Sequence, residues 1–548
     1  MNRRWLCFLV MIMVLMTGCQ KKEDTPSVEK KEPMAVSEQK NSNATKNQKE
    51  DNVLALSMRM VNTLNPLLNV DETVDTILKL VYMPLIQLDE NRKPSPCIAK
   101  SWSFSEDGRT LFLELNSNIL WQDGTVLTAD DVIFSLNTIR SAAPEAVYKD
   151  VMGYISGYSK TGEYSLSITF QQVFSGNLYA LSFPVISSSY YRKETDPSSQ
   201  KNMTPMGNGY YKFDYFKPTK ELKLKKNENC FWGIPEIDEV LVSISADKGT
   251  DFYSFKQGII DVLAADVTDI GKYDSTKDTH LFEYDSNYYD FIGFNFRRSL
   301  FQDIRIRQAV AYAVPKDAIL DSVYLGHGLL AETPIHPASW LYEDDVEKYP
   351  YNLTEADKLL LASNWKSKEK GGIRQRQTNE LTETLKASIL VNEENEARRQ
   401  IAIRLADELW ALGFDISIDV QPYEVYAERL SRGEFDMFIG GWQFSVVPDY
   451  TFMLHSSQAN SGRNYSGYSN EEMDGLLAAA YGTVDDIQLK KAYSNLQKKI
   501  AKDLPYVSIA YRKSALFANE RLSGDVKPLE NNIFYEITKW SLNGSRKN

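Results

Sequence analysis

Residues Leu80 to Leu136 carry, in order, LVYMPLIQLDENRKPSP (80–96), IAKSW (98–102), SEDGRTLFLEL (105–115) and WQDGTVLTADDVIFSL (121–136). Ser105-Glu106-Asp107-Gly108 supplies turn chemistry between two apolar runs, which makes Thr110 to Leu115 the return strand of a hairpin. Thr128-Ala129-Asp130-Asp131 has a capping-box pattern, and Val132, Leu136 and Ile139 then recur at helical spacing, so a helix starts at Thr128. Each block alone is only a turn or a helix start. The order of the blocks is what carries information.

Working outward, Val53 to Met60 reads as a strand followed by the loop VNTLNPLLN from Val61. TPMGNGYYKFDYF from Thr204 has two glycines that permit tight backbone geometry, and LKLKKNENCFWG (222–233) reads as a strand with a turn. YYDFIGFNF (288–296) is a buried strand, continued by a helix that Pro315 breaks. Thr354 to Asp357 repeats the capping-box pattern before an apolar run. The clearest periodicity follows. ASILVN (387–392) is a strand, and Ala397, Ile401, Leu405, Leu409 and Leu412 place one apolar stripe on a helix that Gly413 ends. Phe414 to Val420 alternates as a half-exposed strand, Tyr423 to Arg432 is helical, and FDMFIGGW (435–442) is a third strand. Strand, helix, strand, helix, strand is the grammar of an α/β layer. PYVSIAY from Pro505 returns as another strand.

These ordered blocks resemble the family 5 solute-binding proteins of ABC importers, of the oligopeptide- and dipeptide-binding lipoprotein type. The resemblance implies an α/β, type II periplasmic-binding-protein-like fold: two lobes joined by crossover strands, plus a small accessory domain. It assigns 51–94, 204–290 and 505–540 to the first lobe, 95–203 to the accessory domain and 291–504 to the second lobe. It also implies a monomer that captures a peptide or other small polar solute between the lobes. The solute is then handed unchanged to a membrane permease driven by ATPase subunits.

The same resemblance, with the rule that open α/β sheets bind ligands beyond their strand ends, nominates cleft residues. They are Leu64 and Asn65 on the first-lobe loop, Phe294 and Asn295 at the crossover, and Gly441, Trp442 and Gln443 after the third strand. A core Trp packing under a loop is the other reading of Trp442. The family's peptide binders have Gly-Trp-x-x-Asp-Tyr here, the Asp pairing the peptide's amino terminus. This chain reads GWQFSVVPDY, with Ser445 in place of that Asp. A hydroxyl cannot give a buried ammonium its charge-assisted bond, and Asp449, four residues on, substitutes only if the loop is rearranged. A blocked peptide, a nickel chelate or haem are alternative solutes within the same family.

Residues 1 to 18 have a basic start at Arg3 and Arg4, twelve apolar residues from Trp5 to Met16, and the small pair Thr17-Gly18 before Cys19. Twelve apolar residues are too few to span a bilayer, and the run resembles a bacterial lipoprotein signal with Cys19 as the lipidated residue. Met16 departs from the usual Leu, and an ordinary signal peptide with an incidental Cys is the alternative. Residues 19–50 read as the lipidated Cys and a tether, because Gln20 to Glu50 contains no Leu, Ile, Phe, Tyr or Trp. As a flexible coil the tether reaches roughly 30 Å. The expected address is extracytoplasmic, anchored by lipid to the bacterial cell membrane.

The 548-residue chain has 74 acidic and 62 basic residues, a net charge of −12, which argues against nucleic acid as a partner. It is 43% hydrophobic with 31 Tyr, 24 Phe and 9 Trp, enough for several cores. Cys97 and Cys230 lack a staple pattern and read as buried small hydrophobes; an oxidising compartment would also allow them to pair. His280, His327, His336 and His455 show no metal-ligand spacing, and no G-x-S-x-G, P-loop or C-x-x-C is present. No catalytic residue, metal ligand or cofactor is therefore nominated, and a secreted hydrolase is the remote alternative.

Overall fold

Two long antiparallel strands, Thr279–Phe294 and Tyr506–Asn519, organise the computed structural model. The structure describes residues 52–544, apart from 193–195, 267–269, 271–278, 370, 379–380 and 461. The signal, Cys19 and the tether lie outside the described residues. Among the described residues, no helix is long and apolar enough to cross a membrane.

The two strands pair over Thr279–Asp285 with Lys513–Asn519 and again over Tyr289–Gly293 with Tyr506–Tyr511. Between these stretches the register shifts. There the Ser286 hydroxyl donates to the Arg512 carbonyl (2.8 Å) and accepts from the Tyr288 amide (3.1 Å). On one side the pair continues into Val262–Asp266 and on the other into Met437–Gln443, Lys386–Asn392 and Asp415–Gln421. The last three are mutually parallel, connected by helices Glu396–Ala411 and Tyr423–Arg432, as the strand–helix alternation predicts. The second helix ends at Gly433 in the left-handed region (φ 68°), where a side chain would be strained.

The central strand Thr279–Phe294 shows why this layer is stable. Tyr289 and Phe291 face one apolar cluster with Phe438 and Tyr506, while Ile292 and Phe294 face a second with Ile401, Leu405 and Ile389. Period-two alternation thus serves two cores, one on each face.

A separate four-stranded sheet holds Val53–Met58 parallel to Glu239–Ile244, followed by Glu221–Lys226 and Tyr211–Lys217. Beside it an antiparallel sheet orders Ala99–Phe104, Thr110–Leu115, Ser165–Phe170 and Ile155–Gly162, and includes the expected hairpin. Helix Ala129–Ser141 starts on the Thr128 capping box, completed by Asp131. One hydrophobic core runs through both sheets, from Leu54 and Leu224 to Leu113, Ile168 and Leu136. Gly207 and Gly209 have a packing reason: a Cβ on Gly207 would lie 2.0 Å from the Val81 carbonyl oxygen, and one on Gly209 2.8 Å from it.

Two local expectations change. The first strand ends at Met58, before the exposed Met60. The Thr354 capping box does not form. Helix Leu353–Ala362 starts two residues earlier, with Asn352 accepting from the Glu355 amide (3.0 Å). Cys97 and Cys230 are free and buried, and burial raises both thiols, Cys230 to about 11.

Candidate functional site

A cavity of about 490 Å³ opens where the crossover strands change register. Its walls are the turn Leu88–Arg92, strand residues Leu281–Asn287 and the segment Val526–Asn531 on one side. Residues of 335–341 and 444–450 and Tyr511 form the other. The volume lies within the range of small-molecule sites.

The turn is built by Asp89, whose carboxylate accepts from the amides of Asn91 (2.9 Å) and Lys93 (2.8 Å). It holds Arg92 at φ 60°, a conformation non-glycine residues rarely adopt. From there the guanidinium reaches the irregular strand. It donates to the carbonyls of Asp285 (2.9 Å) and Ser286 (3.4 Å) and to the Asn287 side chain. Arg92 therefore ties the turn to strand groups left outside the regular ladder.

His336 is buried against the Tyr511 ring (4.3 Å). Burial, then the nearby Arg92 charge, holds its imidazole down to about 2. Its Nδ1 accepts from the Ala338 amide (3.0 Å), which places the proton on Nε2. Nε2 lies near the Ser286 carbonyl but makes no well-formed hydrogen bond. An unfolded His336 takes up a proton below about pH 6.5 and the folded one does not. Its contribution to stability is thus full above that pH and falls with acidification, by up to about 1.4 kcal/mol per pH unit. Thermal unfolding between pH 7.5 and 5 should show His336→Gln losing less stability than wild type.

The two sides also meet at the rim. The Trp340 amide donates to the Asn91 carbonyl (3.0 Å) and its indole to the Tyr179 hydroxyl (2.8 Å). Lys93 lies over the Trp340 ring (4.6 Å) and pairs with Asp486 (2.6 Å). Farther along, Tyr481 stacks on Phe174 (4.2 Å) and accepts from Gln172 (2.8 Å). This is a closed cleft. Truncating Trp340 removes a ring, a hydrogen bond and a cation–π contact that exist only when the sides touch, so Trp340→Ala should favour an open form. Small-angle X-ray scattering should then give a larger radius of gyration than wild type, with little change in thermal stability.

Of the nine cleft residues nominated from sequence, Ser445 lines this cavity, its hydroxyl donating to the Val447 carbonyl (3.3 Å). Asp449 does not line it; its carboxylate accepts from the amide (2.8 Å) and hydroxyl (2.5 Å) of Thr451. Leu64 and Asn65 are buried against Asn202, with Asn65 Nδ2 donating to its side-chain oxygen (2.9 Å). Phe294 packs on Phe301 in the core, and Asn295 donates to the carbonyls of Gly433 (2.9 Å) and Phe435 (2.7 Å). Gln443 is exposed opposite Tyr288. Trp442 stacks on Tyr465 (5.9 Å) with Phe452 at its edge (5.0 Å), and its buried indole N–H has no partner among the described residues. A Cβ on Gly441 would sit 2.2 Å from Arg398 Nη2 and 2.6 Å from Asp290 Oδ1, so glycine there makes room for a buried ion pair.

Sequence reasoning missed Arg92, Asp285, His336, Tyr450, Tyr511 and Glu530. Arg92 lies in the 80–96 stretch, and the signal that could have found it is the Asp89-Glu90-Asn91 turn before it. Among the described residues, no group of three or more His, Cys, Asp or Glu is placed to hold a metal ion.

Comparison with known proteins agrees with this geometry. The family described as bacterial extracellular solute-binding proteins, family 5 Middle, matches residues 93–464. The oligopeptide-binding protein AppA of Bacillus subtilis is 27% identical over 489 residues, covering 87% of this chain and 89% of that protein. Heme-binding protein A of Haemophilus influenzae is 24% identical, covering 84% and 86%. The solved structure of Bacillus subtilis AppA in complex with a nonapeptide superposes with a TM-score of 0.57 at 25% identity, covering 90% of this chain and 99% of that one. With a match over more than half its length and a cleft between two lobes spanned by crossover strands, the chain belongs to the bacterial extracellular solute-binding proteins of family 5.

Proposed function

We propose that the chain is the receptor of an ABC importer, taking a peptide or a related small polar solute into the interlobe cleft and presenting it unchanged to a permease. The observation that carries this reading is the cavity at the register shift, closed on both sides by residues of different lobes. A solute that contacts both walls stabilises the closed form by differential binding, and that population shift is all a receptor must supply. AppA, similar over most of both chains, is named for oligopeptide binding, which favours a peptide. Heme-binding protein A favours the second reading, a haem-like solute.

On this reading no residue is catalytic, the protein acts as a monomer, and lipidated Cys19 with the tether keeps the receptor near its membrane partner. Two acyl chains, at about 0.8 kcal/mol per buried methylene, anchor a protein stably where one is marginal. Mass spectrometry of the natively purified protein, before and after denaturation, tests the assignment. A released peptide, unaltered after incubation, is expected. Haem absorbance would replace the peptide reading, and cleavage of a bound peptide would overturn the receptor reading.

A further inference from the structure

We propose that the solute carries an organic cation, an ammonium or guanidinium group, received by the carboxylates of Asp285 and Glu530 beside the rings of Tyr450 and Tyr511. The inference rests on the cleft being the solute site.

Five carboxylates line the cavity, Asp89, Glu90, Glu283, Asp285 and Glu530, against two bases, Arg92 and Lys527. Their partners differ. Asp89 caps its own turn, and Glu283 is shared by His327 and Lys513 (3.2 Å). Glu90 is exposed, and Lys527 pairs with Asp525 (3.0 Å). Asp285 and Glu530 are different: both are half-buried, and neither forms an ion pair with a described residue. The Asn287 amide faces Glu530, and the Arg92, Lys79 and Glu72 charges lie nearby without pairing with it among the described residues. Burial raises both carboxyls above their ordinary range, more than the neighbouring Arg92 lowers them. The Arg92 donors are directed to strand carbonyls and Asn287, so that cation is not bonded to either carboxylate. A second cation entering from solvent would restore the balance that desolvation has disturbed.

Two further features fit the same solute. Tyr450 and the nearly buried Tyr511 line the opposite wall, and the half-buried Tyr450 offers ring surface that attracts a cation through its quadrupole. His336, 4% exposed, lines the cavity with an Nε2–H that lacks a well-formed hydrogen bond, and so calls for an acceptor such as a peptide carbonyl. The 444–450 loop places no carboxylate in the cavity, because Ser445 is a hydroxyl and Asp449 does not line it. Recognition of positive charge is therefore moved to the first-lobe wall.

The test is calorimetric titration of the full-length protein, stripped of solute by denaturation and refolding, with three acetylated and amidated pentapeptides differing in a central lysine, norleucine or glutamate. The lysine peptide should bind at least tenfold tighter than the glutamate peptide. Asp285→Asn with Glu530→Gln should abolish that preference while retaining affinity for the norleucine peptide. Equal affinities, or a preference for glutamate, would overturn the cation assignment and leave peptide capture standing. If no peptide binds, the peptide reading fails, and the charge of the solute released from native protein decides the cation assignment: a cationic one upholds it, a neutral or anionic one overturns it.

Discussion

Replacing Asp290 with alanine is expected to destabilise the protein by about 3–5 kcal/mol, the cost of removing one partner from a buried ionic cluster. Asp290 is 1% exposed and accepts from Arg512 Nε (2.6 Å) and Nη2 (3.1 Å), Arg398 Nε (3.2 Å) and the Tyr324 hydroxyl (2.8 Å). Alanine leaves two guanidinium groups facing a neutral hole. Asp290→Asn keeps part of the hydrogen bonding and should cost less. Burial opposes the Asp290 charge, but Arg512 and Arg398 outweigh it and hold the carboxyl below its ordinary range. With the folded value depressed, the contribution is complete above the unfolded value of about 3.9 and is lost as pH falls through the folded one. Urea unfolding at pH 7 should therefore show the full gap between wild type and Asp290→Ala. A gap under 1 kcal/mol would mean that the two arginines find other partners.

Phe291→Ala, one position along the same strand, should cost a similar 3–5 kcal/mol for a different reason. Phe291 is 1% exposed, stacked on Tyr289 (5.3 Å) and met edge-on by Tyr506 (4.8 Å) and Phe438 (5.7 Å). Its removal leaves a cavity among large rings joined to a rigid ladder, which can close only partly. The same unfolding experiment measures this loss. Phe291→Leu, which fills most of the space, should recover much of the loss.

Much of this architecture was legible in the sequence. The helix from Glu396 to Ala411 and its flanking strands follow from an uninterrupted apolar stripe and strict alternation, and the hairpin from Ser105-Glu106-Asp107-Gly108. The start of the helix at Leu353 was misread because Asn352 and Thr354 are both competent caps, and local pattern does not rank them. The cleft was far less legible. Arg92, His336 and Glu530 are distant in sequence and meet only because the crossover strands bring their segments together. The resemblance nominates Asn65 and Asn295 for the cleft, yet both satisfy backbone or side-chain partners inside the protein. Periodicity reports which face is buried, not what a buried polar group is bonded to.

The core shared by the four-stranded sheet of Val53–Met58 and the antiparallel hairpin sheet limits how the molecule can move. Side chains from Leu54 to Ile168 interlock without a solvent layer, so the hairpin sheet cannot rock independently of its neighbour. An opening of the cleft that flexes at the register shift between Asp285 and Tyr289 would carry the two sheets as one body. Amide exchange should find both sheets protected as one cooperative block, whatever solute fills the cleft.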